Sequence, residues 1–145
     1  MTAPGPGATA SLSVDGAARR VLAAQAADLV ERVGLWQGHR CWPGWSGDLG
    51  WVYRPGDPVS LLGAVWVAAG LGGPDLDLDE AGHVVGSTAR AVVTVADAWD
   101  ALARHLGTDG LDTWSDTPGR TAAEVAAALR ATTTHTPARA GQEPT

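Results

Sequence analysis

The sequence predicts a mostly α fold: a four-helix domain with one or two small β-hairpins and disordered tails. Three observations predict it. Apolar residues recur at helical spacing in long stretches, a glycine follows three of those stretches, and Pro/Gly/Ala-rich text without periodicity stands at both ends. Residues 1–12 and 132–145 are read as tails. Residues 13–131 form one domain, long enough to bury a core without disulfides or metal.

The first helix is expected from about Ser13 to Val33. Val14, Ala17, Val21, Leu22, Leu29 and Val33 are placed on its apolar face, with Arg19, Arg20, Asp28, Glu31 and Arg32 off it. Gly34 is a candidate for the left-handed residue that ends it, with Leu35 folding back toward Val30. Residues 36–56 look irregular, with a possible hairpin pairing Cys41-Trp42 against Trp51–Arg54. The second helix is expected to start at Asp57 as N-cap with Pro58 in its first position. It is apolar nearly all round (Val59, Leu61, Leu62, Val65, Trp66, Ala68, Ala69), which marks a central helix. Gly70 should end it and fold Leu71 back onto Trp66.

Residues 75–85 alternate and then turn, which predicts a hairpin of Leu76–Leu78 against His83–Val85 across residues 80–82. The third helix runs from Ser87 or Thr88 to Leu106, burying Val92, Val95, Trp99, Leu102 and Leu106, and Gly107 stops it. Leu111 and Trp114 fall on a turn or short helix. The fourth helix spans Thr121 to about Ala131, with Val125, Ala128 and Leu129 inward.

Composition narrows the function classes. Net charge is −6, and the ten cationic side chains, all arginine, are scattered rather than striped. That excludes the electrostatic footprint of a nucleic-acid binder. Cys41 is the only cysteine, so no internal disulfide or four-thiolate metal site can form. The apolar run from Val59 to Leu71 is too short to span a bilayer, so no membrane association is expected. The N-terminus lacks the pattern of a signal peptide, and a cytoplasmic location is the default expectation. The sequence implies no cofactor and leaves the oligomeric state open.

The segment Trp114-Ser-Asp-Thr-Pro-Gly-Arg-Thr-Ala-Ala-Glu-Val125 is the nearest thing to a signature. Thr121 and Glu124 stand at capping-box spacing, and Pro118-Gly119 sets a tight turn before them. With Trp114, Asp116 and Arg120 they form the structural turn. This segment, with Leu62-Gly-Ala64, resembles a family of small uncharacterised proteins of actinomycetes and their phages. The family closes on Trp-Asn-Asp-x-Pro-Gly-Arg-Thr-x-x-Glu-Val. Ser115 stands where the family has Asn, so a side-chain amide contact in the turn should be shorter or absent. The resemblance implies a fold and transfers no activity.

Several constellations carry competing readings. Asp116 and Arg120 suit either an anion clamp at a helix N-terminus or a brace holding the turn, and the capping box favours the brace. Asp75, Asp77 and Asp79 alternate like a calcium loop, but Glu80 and Gly86 stand where that template needs Gly and Glu. A solvated hairpin edge is the simpler reading. His39, Cys41, His83 and His105 have no zinc-site spacing.

The richest constellation is aromatic. The chain has seven Trp, one Tyr and no Phe, with Trp36, Trp42, Trp45 and Trp51 close together. With Arg54 and Trp66 they are candidates to line a pocket over the second helix for an apolar or aromatic small molecule. The alternative is a Trp-rich flap that completes an Ala/Val core. His39, Asp48, Tyr53 and Asp57 are the proton-transfer candidates if the pocket is catalytic. The sequence therefore carries three functional readings. One is a non-catalytic binding or accessory domain, the second a cofactor-free cyclase or isomerase of specialised metabolism, and the third a phage-related or regulatory protein-interaction module.

Overall fold

The computed structural model describes residues 4–38, 41–43, 53–73 and 76–134, with side chains from Gly16 onward. The fold is mostly α. Among the described residues five helices follow in order: α1 (Pro4–Val33), α2 (Leu61–Ala68), α3 (Gly86–Leu106), α4 (Leu111–Ser115) and α5 (Ala122–Thr134). The fifth element relative to expectation is α4, one short turn between α3 and α5.

The helix α1 starts at Pro4, inside the segment expected to be a tail. Prolines in a first helical turn lose no intrahelical bond, since those N–H groups have no partner there. Its buried stripe is Leu22, Ala23, Ala26, Ala27, Leu29 and Val30. Val21, expected inside, is 57% exposed. Arg19, expected outside, is buried and donates to the Thr132 carbonyl in the last turn of α5 (3.4 Å). Burial lowers the Arg19 guanidinium below its ordinary value, and Arg20 and Arg104 add to that.

Small residues explain the packing partner. Ala23, Ala26 and Ala27 on α1 and Ala126 and Ala128 on α5 are all buried, and α1 packs most extensively on α5. Methyl-sized side chains allow two backbones to approach closely, and Leu22, Val30, Val125 and Leu129 of the same two helices belong to the buried cluster. Outside the seam, Arg130 of α5 reaches Asp28 (2.7 Å) and Glu31 (2.6 Å) of α1.

The second helix begins later than the Asp57-Pro58 pair suggests. Ser60 is the N-cap, its hydroxyl accepting from the Gly63 N–H at 3.0 Å. Residues 57–59 are used elsewhere. Val59 donates to the Gly34 carbonyl and accepts from the Trp36 N–H, a parallel bridge between Leu35 and Val59. The Asp57 carbonyl accepts from the Tyr53 hydroxyl. Leu35 is thus drawn into the bridge, and α1 ends on the simpler bond from Gly34 N–H to the Val30 carbonyl. At the other end of α2 the Leu71 N–H returns to the Trp66 carbonyl and the Gly70 N–H to Val67, the double bond pattern of a Schellman end. The helix is central as expected, packed against α1, α3 and α4.

The hairpin at 76–85 reduces to one antiparallel bridge, Leu78 with Val84. The one proposed for Cys41–Arg54 falls mostly outside the described residues. Helix α3 ends where expected, on Gly107 at φ 68°, with Thr108 N–H bonded to the Ala103 carbonyl. Helix α5 continues to Thr134, past the expected Ala131. The Thr132, Thr133 and Thr134 hydroxyls donate to the carbonyls three residues back, which accommodates this β-branched run in the helix. No helix among the described residues is long and apolar enough to cross a membrane.

Candidate functional site

The closing motif folds as a brace. Arg120 N–H donates to the Thr117 carbonyl across Pro118-Gly119, and Gly119 sits at φ 88°. Positive φ at the third position is what a type II turn demands. Thr121 and Glu124 form the full reciprocal capping box: Glu124 N–H to Thr121 Oγ1 at 3.1 Å, Thr121 N–H to Glu124 Oε1 at 2.9 Å. Arg120 stacks 4.2 Å over the Trp114 ring, donates to the Trp114 carbonyl and lies 3.6 Å from Glu124. Its guanidinium is thus engaged on three sides.

The brace also grips the chain leaving α1. The Gln37 side-chain amide donates to the carbonyls of Ser115 and Thr117, both at 2.9 Å, and Asp116 Oδ1 accepts from the Gly38 N–H at 3.3 Å. Ser115 turns its own hydroxyl onto the Asp112 carbonyl. The amide contact in this turn therefore comes from Gln37, seventy-eight residues away in sequence from Ser115.

The aromatic candidates divide. Trp42 is fully buried and edge-on to Tyr53, with ring centroids 5.4 Å apart. Trp36 is half-buried, its indole N–H buried without a hydrogen-bond partner among the described residues. Trp45, Trp51, His39 and Asp48 lie outside the described residues. Tyr53 is tied to the Asp57 carbonyl, and Arg54 lies 3.5 Å from the Asp57 carboxylate. Burial, then the nearby Asp57, raises the Tyr53 phenol above its ordinary value. Tyr53, Arg54 and Asp57 are thus joined in one local loop.

Trp66 borders a groove. An open groove of about 590 Å³ runs between α2 and α3. Leu62 and Trp66 line it from α2, Val92, Val95, Ala96 and Trp99 from α3. Asp100, Asp109 and Asp112 edge it. The spacing of the α3 residues is one helical face. Sequence reasoning assigned Val92 and Trp99 to the core because their periodicity is that of a buried stripe. Both are only half-buried. The α2 helix is eight residues long against twenty-one for α3. The shorter helix leaves part of the longer one's apolar face uncovered, and no local sequence signal reports such a mismatch.

Two further features bound the site. Gly63 faces the backbone of Cys41, whose carbonyl leaves no room for a β-carbon. The same carbonyl accepts from Ser60 N–H at 2.8 Å, so Cys41 lies directly on the start of α2. The Cys41 thiol is half-buried, and burial, then the charge of Asp112, raises its pKa. That disfavours a thiolate at this position. Among the described residues no three His, Cys, Asp or Glu side chains gather as a metal site.

No curated protein and no solved structure matches the chain. A family model does match, over residues 14–135, which takes in the whole described bundle from the middle of α1 through α5. The chain therefore belongs to the family of unknown function DUF6197.

Proposed function

We propose that the protein is a small-molecule-binding domain, non-catalytic or accessory, whose site is the α2–α3 groove. The observation that carries this reading is the pairing of Trp66 and Trp99 with aliphatic side chains around about 590 Å³ of open space. Ligand sites run from roughly 300 to 1,000 Å³ and are lined by apolar and aromatic groups with few polar ones. A groove with this lining favours a ligand with a flat or polycyclic apolar body, since indole faces supply large contact area. Of the residues expected to line a pocket, Trp66 borders this groove, while Trp45 and Trp51 lie outside the described residues.

The test is a titration with 1-naphthalenemethanol, a neutral aromatic probe, followed by the indole N–H resonances in ¹⁵N-labelled protein. Trp66→Phe and Trp99→Phe variants assign the two signals. Saturable shifts led by Trp66 and Trp99 are expected. Shifts absent, or spread evenly over all seven indoles, would overturn the reading. A cyclase or isomerase would use the same groove, with Asp109 and Asp112 as the proton-transfer groups in place of Tyr53 and Asp57. Chemical turnover of a bound ligand separates that alternative from binding alone.

A further inference from the structure

We infer that the α2–α3 groove selects an organic cation, an apolar aromatic or alkyl body carrying an ammonium head. This rests on the groove being a binding site and adds the charge class of its ligand. The wall is apolar and aromatic along Leu62, Trp66, Val92 and Trp99, and the polar lining is acidic, with no cationic side chain among the lining residues. Of the three carboxylates, Asp100 is engaged by Arg104 one turn along α3. Asp109 and Asp112 form no ion pair among the described residues.

Two physical terms then act in one direction. Indole faces attract cations through the ring quadrupole. Two carboxylates without an ion-pair partner among the described residues, beside a low-dielectric wall, focus a negative potential into the groove. An anionic ligand meets both as penalties, and a neutral one gains only the apolar contact. A simpler role for Asp112 exists, because a carboxylate in the first turn of α4 favours that helix terminus. It does not account for Asp109, which precedes α4.

The experiment compares three probes of one shape on the 145-residue chain: 1-naphthylmethylammonium, 1-naphthalenemethanol and 1-naphthoate. Affinities are read from the indole shifts of Trp66 and Trp99. The ammonium should bind about tenfold tighter than the alcohol, with the carboxylate weakest. The preference should shrink as salt is raised, because the acidic rim is open to solvent. In Asp109→Asn/Asp112→Asn the ammonium should fall to within about threefold of the alcohol, losing the two rim charges but keeping the indole contribution. Retained alcohol binding in that variant serves as its folding control, and Asp109→Asn alone leaves the α4 terminus untouched. Equal binding of ammonium and alcohol by the unaltered chain would overturn the charge assignment while leaving the groove as a site. Tighter binding of the naphthoate would also overturn it. Failure of all three probes would remove the binding reading itself, and this inference with it.

Discussion

The brace at 114–125 and the groove between α2 and α3 are built from the same residue types to opposite ends. Both contain tryptophan and aspartate, and the brace adds Arg120. In the brace each is engaged: Trp114 lies under Arg120, Asp116 accepts from Gly38, and the free helix N–H groups meet Thr121 and Glu124. In the groove Trp66 and Trp99 line open space, and Asp109 and Asp112 have no cationic partner among the described residues. A polar cluster whose members satisfy one another has little left to offer a ligand, whereas an apolar face left uncovered beside unpaired charge has a good deal. The motif that looks most like a signature spends its polar groups on one another, and the surface with no motif is the one proposed as the site.

The contrast breaks most directly at Gly119. Valine there must adopt φ near 88°, and the space around the position is open, so the cost is conformational strain alone. Gly119→Val should lose about 1–3 kcal/mol of stability in urea unfolding, with affinity for the naphthyl alcohol unchanged in the folded fraction. Stability equal to the parent would mean that the turn relaxes to another type. Loss of probe affinity without unfolding would join brace and groove into one functional unit. Thr121→Ala removes the hydroxyl that accepts from Glu124 N–H and should cost about 1 kcal/mol. A change much below that would show the Gln37 and Asp116 links carrying the brace without the cap.

Much of the frame was legible because its signals are local. The capping box, the Gly70 and Gly107 stops and the course of α3 follow from residues within one or two turns of each other. What was not legible depends on distant partners. Asp57-Pro58 is a sound helix start by local rules, yet Val59 pairs with Leu35 and Tyr53 takes the Asp57 carbonyl, so α2 is capped by Ser60 and begins at Leu61 instead. The stripe on α1 was misphased because valine outranks alanine on any hydrophobicity scale, while a close α1–α5 seam needs the alanines. Of the candidate site, Trp66 was legible and Trp99 was not. The same periodicity describes a covered helix face and an uncovered one.

Trp99→Phe sharpens the comparison from the groove side. The ring is half-buried, with one side on the core and the other on an open wall, so stability should change by no more than about 1.5 kcal/mol. Affinity for the naphthyl probes should nonetheless fall several-fold. A loss of about 3 kcal/mol or more would make Trp99 core, the role its periodicity alone assigns it, and would empty the groove of its meaning.

The smallest effect concerns the start of α3, where the capping role that Thr121 and Glu124 fill locally is filled from a distance. The N-cap residue of α3 is Val85, whose side chain has no hydrogen-bonding group to offer. Asp77, brought alongside by the Leu78–Val84 bridge, accepts from Ser87 Oγ (2.6 Å) and Ser87 N–H (3.2 Å) instead. Those bonds, the hydroxyl first, hold the Asp77 carboxyl below its ordinary value. A carboxyl whose native pKa is lowered stabilises the fold above its unfolded value, roughly pH 3.9, and the contribution disappears as pH falls through the lower native value. Asp77→Asn should therefore be less stable than the parent near neutral pH, and the two stability curves should converge on acidification. The site is fully solvated, so the difference is small and best measured as a gap in urea midpoint against pH. A gap that persisted undiminished into strong acid would assign the role of Asp77 to backbone geometry rather than to its charge. The start of α3 would then be held by the bridge alone.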